Sequence, residues 1–135
     1  MKEEQNFLGR AKTDSPAAAD NGTAQNGTEL AVIWTTVASV EDAQRLAGGL
    51  LEQRLAGCVQ VDASVRSFYR WKGQTQSETE YRVVIKTLAE LQLEAMRWIG
   101  ENHPYELPQL IVLPVTDASE DYAGWIAEQV NEIGN

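Results

Sequence analysis

The feature that most limits what this chain can fold into is a pair of long alternating runs on either side of one tight turn. Val59, Val61, Ala63 and Val65 alternate with Gln60, Asp62, Ser64 and Arg66, and strand-favouring Phe68, Tyr69 and Trp71 carry the run to Lys72-Gly73-Gln74. Beyond the turn, Tyr81, Val83 and Ile85 alternate with Glu80, Arg82 and Lys86. Successive side chains of a strand point to opposite faces, so two such runs around a turn predict a β-hairpin. Each arm reaches about 12 residues, roughly 40 Å at about 3.3 Å per residue. That is about twice the common strand length, so the hairpin must overhang the sheet it belongs to.

The flanking sequence supplies that sheet. Leu30-Ala31-Val32-Ile33-Trp34 is a continuous apolar run, read as a buried strand ending near Val37. Ser39 then offers an N-cap, Glu41 and Asp42 suit the first turn of a helix, and Val40, Ala43, Ala47 and Leu50 form its apolar face. Gly57 is placed to end this helix in a left-handed conformation. After the hairpin, Thr87-x-x-Glu90 reads as a capping box opening a helix with Leu88, Leu91, Ala95, Trp98 and Ile99 at helical spacing. Asn102-His103-Pro104 stops it, because the residue before proline avoids helical dihedrals. A final strand is expected over Leu107 to Val115, bounded by Pro108 and Pro114. A last helix starts at Asp117 or Ser119 and carries Tyr122, Trp125, Ile126, Val130 and Ile133 on one stripe.

The order β-α-β-β-α-β-α predicts an α+β domain over residues 30–135. It is a ferredoxin-like βαββαβ plait with an extra C-terminal helix, its four-stranded sheet antiparallel and its crossovers right-handed. Two helices cover one face of such a sheet, yet Leu30–Trp34 and Leu110–Leu113 are apolar at consecutive positions and hence on both faces. The last helix can cover part of the second face. The overhanging hairpin calls for a neighbouring copy to cover the rest, so an oligomer is expected.

Residues 1–29 are rich in Ala, Asn, Gly, Thr and Asp without periodicity, and read as a disordered tail. They hold no hydrophobic centre of a secretory signal, so the expected location is cytoplasmic. The net charge of −9 argues against nucleic acid and anionic membrane surfaces as partners. The apolar runs are far shorter than the roughly 20 residues a membrane-spanning helix needs. Cys58 is the only cysteine, which excludes an intrachain disulfide and suits a reducing compartment.

The chain carries no Gly-rich phosphate loop, no G-x-S-x-G, no C-x-x-C and no H-E-x-x-H, so neither an enzyme nor an organic cofactor is expected. The densest group of chemistry-bearing residues is Asn102-His103-Pro104-Tyr105-Glu106-Leu107-Pro108, a proline-stiffened loop between helix and strand. His103 has two readings there: a cap on the helix C-terminus, or a metal ligand with Glu106 as its nearest carboxylate and Glu78 and Glu80 as others. In an oligomer, neighbouring chains can complete a site that one chain cannot build. Tyr69 and Trp71 at the hairpin read either as cleft lining or as interface packing. Lys86 reads as a partner for Glu80 or another carboxylate. Cys58 reads first as a small buried hydrophobe, and otherwise as the thiol of a thiol–imidazole pair with His103.

From Leu30 to about Val130 the chain resembles the CutA divalent-cation tolerance proteins. The resemblance rests on Leu55-Ala56-Gly57-Cys58-Val59-Gln60, Tyr69-x-Trp71-x-Gly73, Glu78-x-Glu80-Tyr81, Ile85-Lys86-Thr87, His103-Pro104-Tyr105-Glu106-x-Pro108, Leu113-Pro114-Val115 and Tyr122-x-x-Trp125, in that order. It implies a homotrimer similar to the PII signal proteins, with hairpin contacts exchanged between subunits. It also implies a link to tolerance of divalent cations, copper above all. In enterobacterial relatives copper binding is ascribed to a first-strand cysteine and two adjacent histidines before the proline. Here those positions hold Thr35 and Asn102-His103, so only His103 carries over. The implied site is an inter-subunit cleft with Cys58, Tyr69, Glu80, Lys86, Tyr105 and Trp125, and His103 with Glu106 as candidate ligands of Cu²⁺ or another divalent cation. The alternative is a PII-like small-molecule sensor or protein-interaction scaffold that uses no metal.

Overall fold

The computed structural model describes residues 29–131, so the expected tail, apart from Glu29, and the Ile133 end of the last helical stripe lie outside the described residues. The elements follow the expected order: β1 (Leu30–Val37), α1 (Val40–Glu52), β2 (Cys58–Trp71), β3 (Gln74–Leu88), a single 3₁₀ turn (Ala89–Leu91), α2 (Gln92–Asn102), β4 (Ile111–Pro114) and α3 (Glu120–Asn131). The sheet runs β2-β3-β1-β4, and every neighbouring pair is antiparallel. This is the ferredoxin-like plait with an added C-terminal helix.

One face of the sheet carries the main core. Ile33 and Val37 of β1 and Val83 and Ile85 of β3 pack against Ala43, Leu46 and Leu50 of α1 and Ala95 and Ile99 of α2, all fully buried. α3 closes one end of the opposite face, where Ala123, Ile126 and Val130 meet Leu30 and Leu88. The rest of that second face holds Val32, Trp34, Val84, Ile111 and Leu113 by strand alternation and register. Ile111 stays exposed there, and Arg82 lies over the Trp34 ring at 4.8 Å while its Nε donates to Asp62 at 2.8 Å.

Ser39 caps α1 as its sequence suggests, its Oγ accepting from the Asp42 N–H at 3.1 Å. Ser39→Ala removes that acceptor and is expected to lower stability by about 1 kcal/mol, read from the urea midpoint. Ser119 does the same for α3, accepting from the Tyr122 N–H at 3.1 Å.

Four local expectations are corrected. The left-handed residue after α1 is Arg54 (φ 58°), not Gly57, whose N–H instead donates to the Lys86 carbonyl at 2.9 Å. Gly57 is needed for a different reason: a Cβ there would sit 2.9 Å from Ile126 Cδ1 and 3.2 Å from the Ile126 Cα, so α3 can dock only against a bare backbone. Thr87 opens no capping box. It belongs to β3, and its buried Oγ1 has no hydrogen-bond partner.

The last strand is Ile111–Pro114 rather than Leu107–Val115, because β4 pairs only with Ala31–Trp34 of β1. Beyond Trp34, the Thr36 carbonyl is met by the His103 ring at 3.0 Å instead of by a strand. The strict alternation of Val59, Val61, Ala63 and Val65 is broken by a bulge between Val61 and Ser64. Val61 opposes Val83 on the helix-covered face, whereas Val65 opposes Glu80 on the other. One extra residue in the strand therefore re-aims everything beyond it. Ser67, Tyr69 and Trp71 are swung onto the face of Glu78 and Glu80.

Candidate functional site

The bulge builds the first polar cluster. Glu80 is only 7% exposed. Its two carboxylate oxygens accept from Ser67 Oγ and from the Tyr105 hydroxyl, each at 2.7 Å. Ser67 reaches it from β2 across the hairpin, and Tyr105 from the loop after α2. A buried carboxylate needs such donors, because transfer from water without them is strongly unfavourable. Burial, together with the Glu80 hydrogen bond, holds the Tyr105 hydroxyl far above the ordinary phenol range, so it remains a donor. Next along the hairpin the Glu78 carboxylate raises the Tyr69 hydroxyl through a hydrogen bond.

His103 sits one step behind Tyr105, immediately after the last residue of α2. Its Nδ1 accepts from the Tyr105 backbone N–H at 3.1 Å. A backbone N–H can only donate, so Nδ1 is bare and Nε2 carries the proton. Nε2 then donates to the Thr36 carbonyl and lies 3.0 Å from Thr35 Oγ1. The ring also tilts against Tyr105, with centroids 4.9 Å apart. Burial lowers the His103 pKa below its usual value and supports the neutral form.

A second cluster lies at the other end of the same strands, beneath α3. Cys58 opposes Lys86 in the β2–β3 register, and Lys86 Nζ stands 5.7 Å from the centroid of the Tyr122 ring. Tyr122 stacks on Trp125 with centroids 5.9 Å apart. Burial, and then the adjoining Cys58 thiol, push the Tyr122 hydroxyl well up.

The expected cleft residues are therefore not one group within a single chain. Tyr69, Glu80, Tyr105 and His103 gather near the hairpin root, whereas Cys58, Lys86 and Trp125 gather under α3. Lys86 lies six positions along β3 from Glu80, about 20 Å of strand. Lys86 faces an aromatic ring rather than Glu80, and a Cys58–His103 pair is not formed. Glu106 is exposed, both ring nitrogens of His103 are committed, and among the described residues no group of three or more His, Cys, Asp or Glu is placed to hold a metal ion. Sequence reasoning missed Ser67 and Thr36; alternation alone put Ser67 on the wrong face, and a backbone carbonyl leaves no trace in the residue pattern.

Residues 31–129 match the family model described as CutA1 divalent ion tolerance protein. The chain belongs to the CutA1 family. It is 38% identical over 98 residues to the divalent-cation tolerance protein CutA of Pectobacterium atrosepticum, covering 73% of this chain and 89% of that protein. It is 34% identical over 95 residues to the chloroplastic protein CutA of Arabidopsis thaliana, but spans only 52% of that longer relative. Among solved structures, CutA from Synechococcus elongatus PCC7942 superposes with a TM-score of 0.74 at 34% identity, over 77% of this chain and 92% of that one. The periplasmic divalent cation tolerance protein CutA from Archaeoglobus fulgidus superposes with a TM-score of 0.73 at 31% identity, over 76% and 99%. Against the CutA resemblance, one contact stands out. Thr35 of β1 and His103 of the loop after α2 touch each other, Thr35 Oγ1 lying 3.0 Å from His103 Nε2.

Proposed function

We propose that this CutA1 protein serves divalent-cation tolerance as a non-enzymatic cytoplasmic homotrimer. Its working site would be a cleft between copies, where the Glu80–Tyr105–Tyr69 cluster of one chain approaches the Cys58–Lys86–Trp125 cluster of the next. The observation that carries this reading is the half-clad sheet. α3 covers only one end of the second face, and Trp34, Ile111, Leu113 and, on the hairpin, Trp71 are left for a neighbour. An apolar face of this kind is stabilised by burial against another copy.

The cation chemistry of such a cleft is oxygen-rich and weak. Carboxylates at its rim such as Glu78 and Glu106 suit hard divalent cations more than copper, which favours imidazole and thiolate ligands. A sensing or scaffolding role without metal is the second reading, supported by the commitment of both His103 nitrogens inside the chain.

Sedimentation equilibrium is expected to give a mass of three chains of 14.9 kDa each, and a stable monomer would sink the cleft. Titration calorimetry with Cu²⁺ is expected to give equal heats for wild type and His103→Asn. A loss of heat in the variant would return His103 to the role of ligand.

A further inference from the structure

We infer that His103 is an acid-released latch, which in its neutral form holds the loop of residues 103–107 against the root of the β2–β3 hairpin and lets it go when the ring is protonated. This goes beyond the tolerance role and does not depend on the trimer or on any metal.

Three hydrogen bonds fix the ring and the loop through their directions. The Tyr105 N–H points at Nδ1 from 3.1 Å, and no rotation of a backbone amide can turn it into an acceptor. Flipping the ring would not help, because the other nitrogen must still donate to the Thr36 carbonyl. One tautomer alone satisfies both partners. Adding a proton at Nδ1 sets two N–H groups against each other, and the Tyr105 amide must leave. Tyr105 is also the residue whose hydroxyl reaches Glu80, so the same displacement pulls at the bond between the loop and β3. A proton taken up at one ring nitrogen is thereby converted into release at a carboxylate on another element.

The charged groups around the ring are Asp42 and Arg45 of α1 and Glu80 of β3. Asp42 and Glu80 favour the protonated ring and Arg45 opposes it. Arg45 is itself tied down, to Asp42 at 2.7 Å and to the Asn102 carbonyl at 3.3 Å. Burial outweighs the carboxylates and keeps the ring neutral at pH 7. The sign follows from linkage. A histidine whose folded value lies below the unfolded one, about 6.5, binds fewer protons folded than unfolded between those two values. The latch is thus fully closed above about pH 6.5 and opens as pH falls through the folded value.

What is released matters for the hairpin. β1 pairs with β3 only from Tyr81 onward, so Gln74–Glu80 has β2 on one side and no described strand on the other. Tyr105 is the side chain that ties this stretch to the body through Glu80. Acid release uncovers the Glu80 carboxylate and frees the root of the overhang.

The test is a pH titration of the full chain by ¹⁵N NMR between pH 8 and 5, with amide hydrogen exchange on the same samples. At pH 8 the His103 ring is expected as the Nε2–H tautomer. As the ring titrates, the protection factor of the Tyr105 amide is expected to fall at least tenfold, with the same apparent pKa. In His103→Asn, which keeps an acceptor near the Nδ1 position but cannot titrate, that protection is expected to stay constant. Tyr105→Phe separates the two halves of the device: its amide should still titrate with the ring, while the coupling to Glu80 is lost. An Nδ1–H tautomer at pH 8, a ring that stays neutral to pH 5, or a Tyr105 protection factor that ignores the titration would each overturn the latch.

Discussion

Gly57→Ala is expected to destabilise the protein by about 3 kcal/mol, the upper end of what one added methyl does in a close-packed region. The reason is geometric. The new Cβ would lie 2.9 and 3.1 Å from the Ile126 side chain and 3.2 Å from its Cα. Side-chain atoms can turn aside, but the Cα belongs to α3, so the helix itself has to move. Ile126 is fully buried, and its displacement opens the packing against Leu30 and Leu88 that closes the second face of the sheet. Urea unfolding at fixed protein concentration, followed by far-ultraviolet circular dichroism, measures the loss. Gly48→Ala is the control, since no atom stands within 4 Å of a Cβ built there, and it should be neutral or mildly stabilising in the middle of α1. Equal stabilities for the two variants would show that α3 is not seated on Gly57.

Glu80→Ala should have an effect of similar size for an electrostatic reason. The substitution strips the acceptor from two short hydrogen bonds, and bonds to charged groups contribute about 1.5–3 kcal/mol each. The Ser67 and Tyr105 hydroxyls are then left half-buried with no partner. A loss of about 3 kcal/mol corresponds to a fall in melting temperature of roughly 10–20 °C for a domain of this size. Glu80→Gln keeps the volume and one acceptor oxygen, so about half of the loss should return. If Glu80→Ala melted within 2 °C of wild type, the carboxylate would not be holding the loop to the hairpin.

Much of this fold can be read directly from the sequence, and the parts that cannot have identifiable causes. Alternation in β3, the apolar run of β1 and the cap Ser39 are local signals, and local physics is enough to decode them. The bulge between Val61 and Ser64 is not local in that sense. No glycine or proline marks it, and it is set by how two strands register against each other. Missing it reverses the face assigned to every residue from Val65 to Trp71, which is why Ser67 could not be paired with Glu80 in advance. The expected long final strand failed for a related reason. Apolar residues from Leu107 onward suit a strand, but the edge of β1 beyond Trp34 is taken by His103, and Leu107 is left exposed.

The site divides along the same line. The residue types were legible, since a His, a Tyr and a Glu within a proline-stiffened loop attract notice in any chain. Their division into two clusters was not, because distance along β3 is invisible until the register is known. Gly57 shows the limit well. The sequence marks it as special, yet its role is set by Ile126, almost seventy positions away, and not by its own dihedral angles.

The overhang of the hairpin has one further, mechanical consequence. The stretch Gln74–Glu80 extends about 24 Å past the last residue paired with β1, and a stiff arm of that length makes a lever: a tilt of about 5° at its pivot moves the tip by about 2 Å. The pivot is where Tyr105 bolts the arm down through Glu80. Small chemical events at that bolt are therefore magnified at Lys72 and Gly73, where the exposed Phe68 and Trp71 stand ready to report them to whatever they touch.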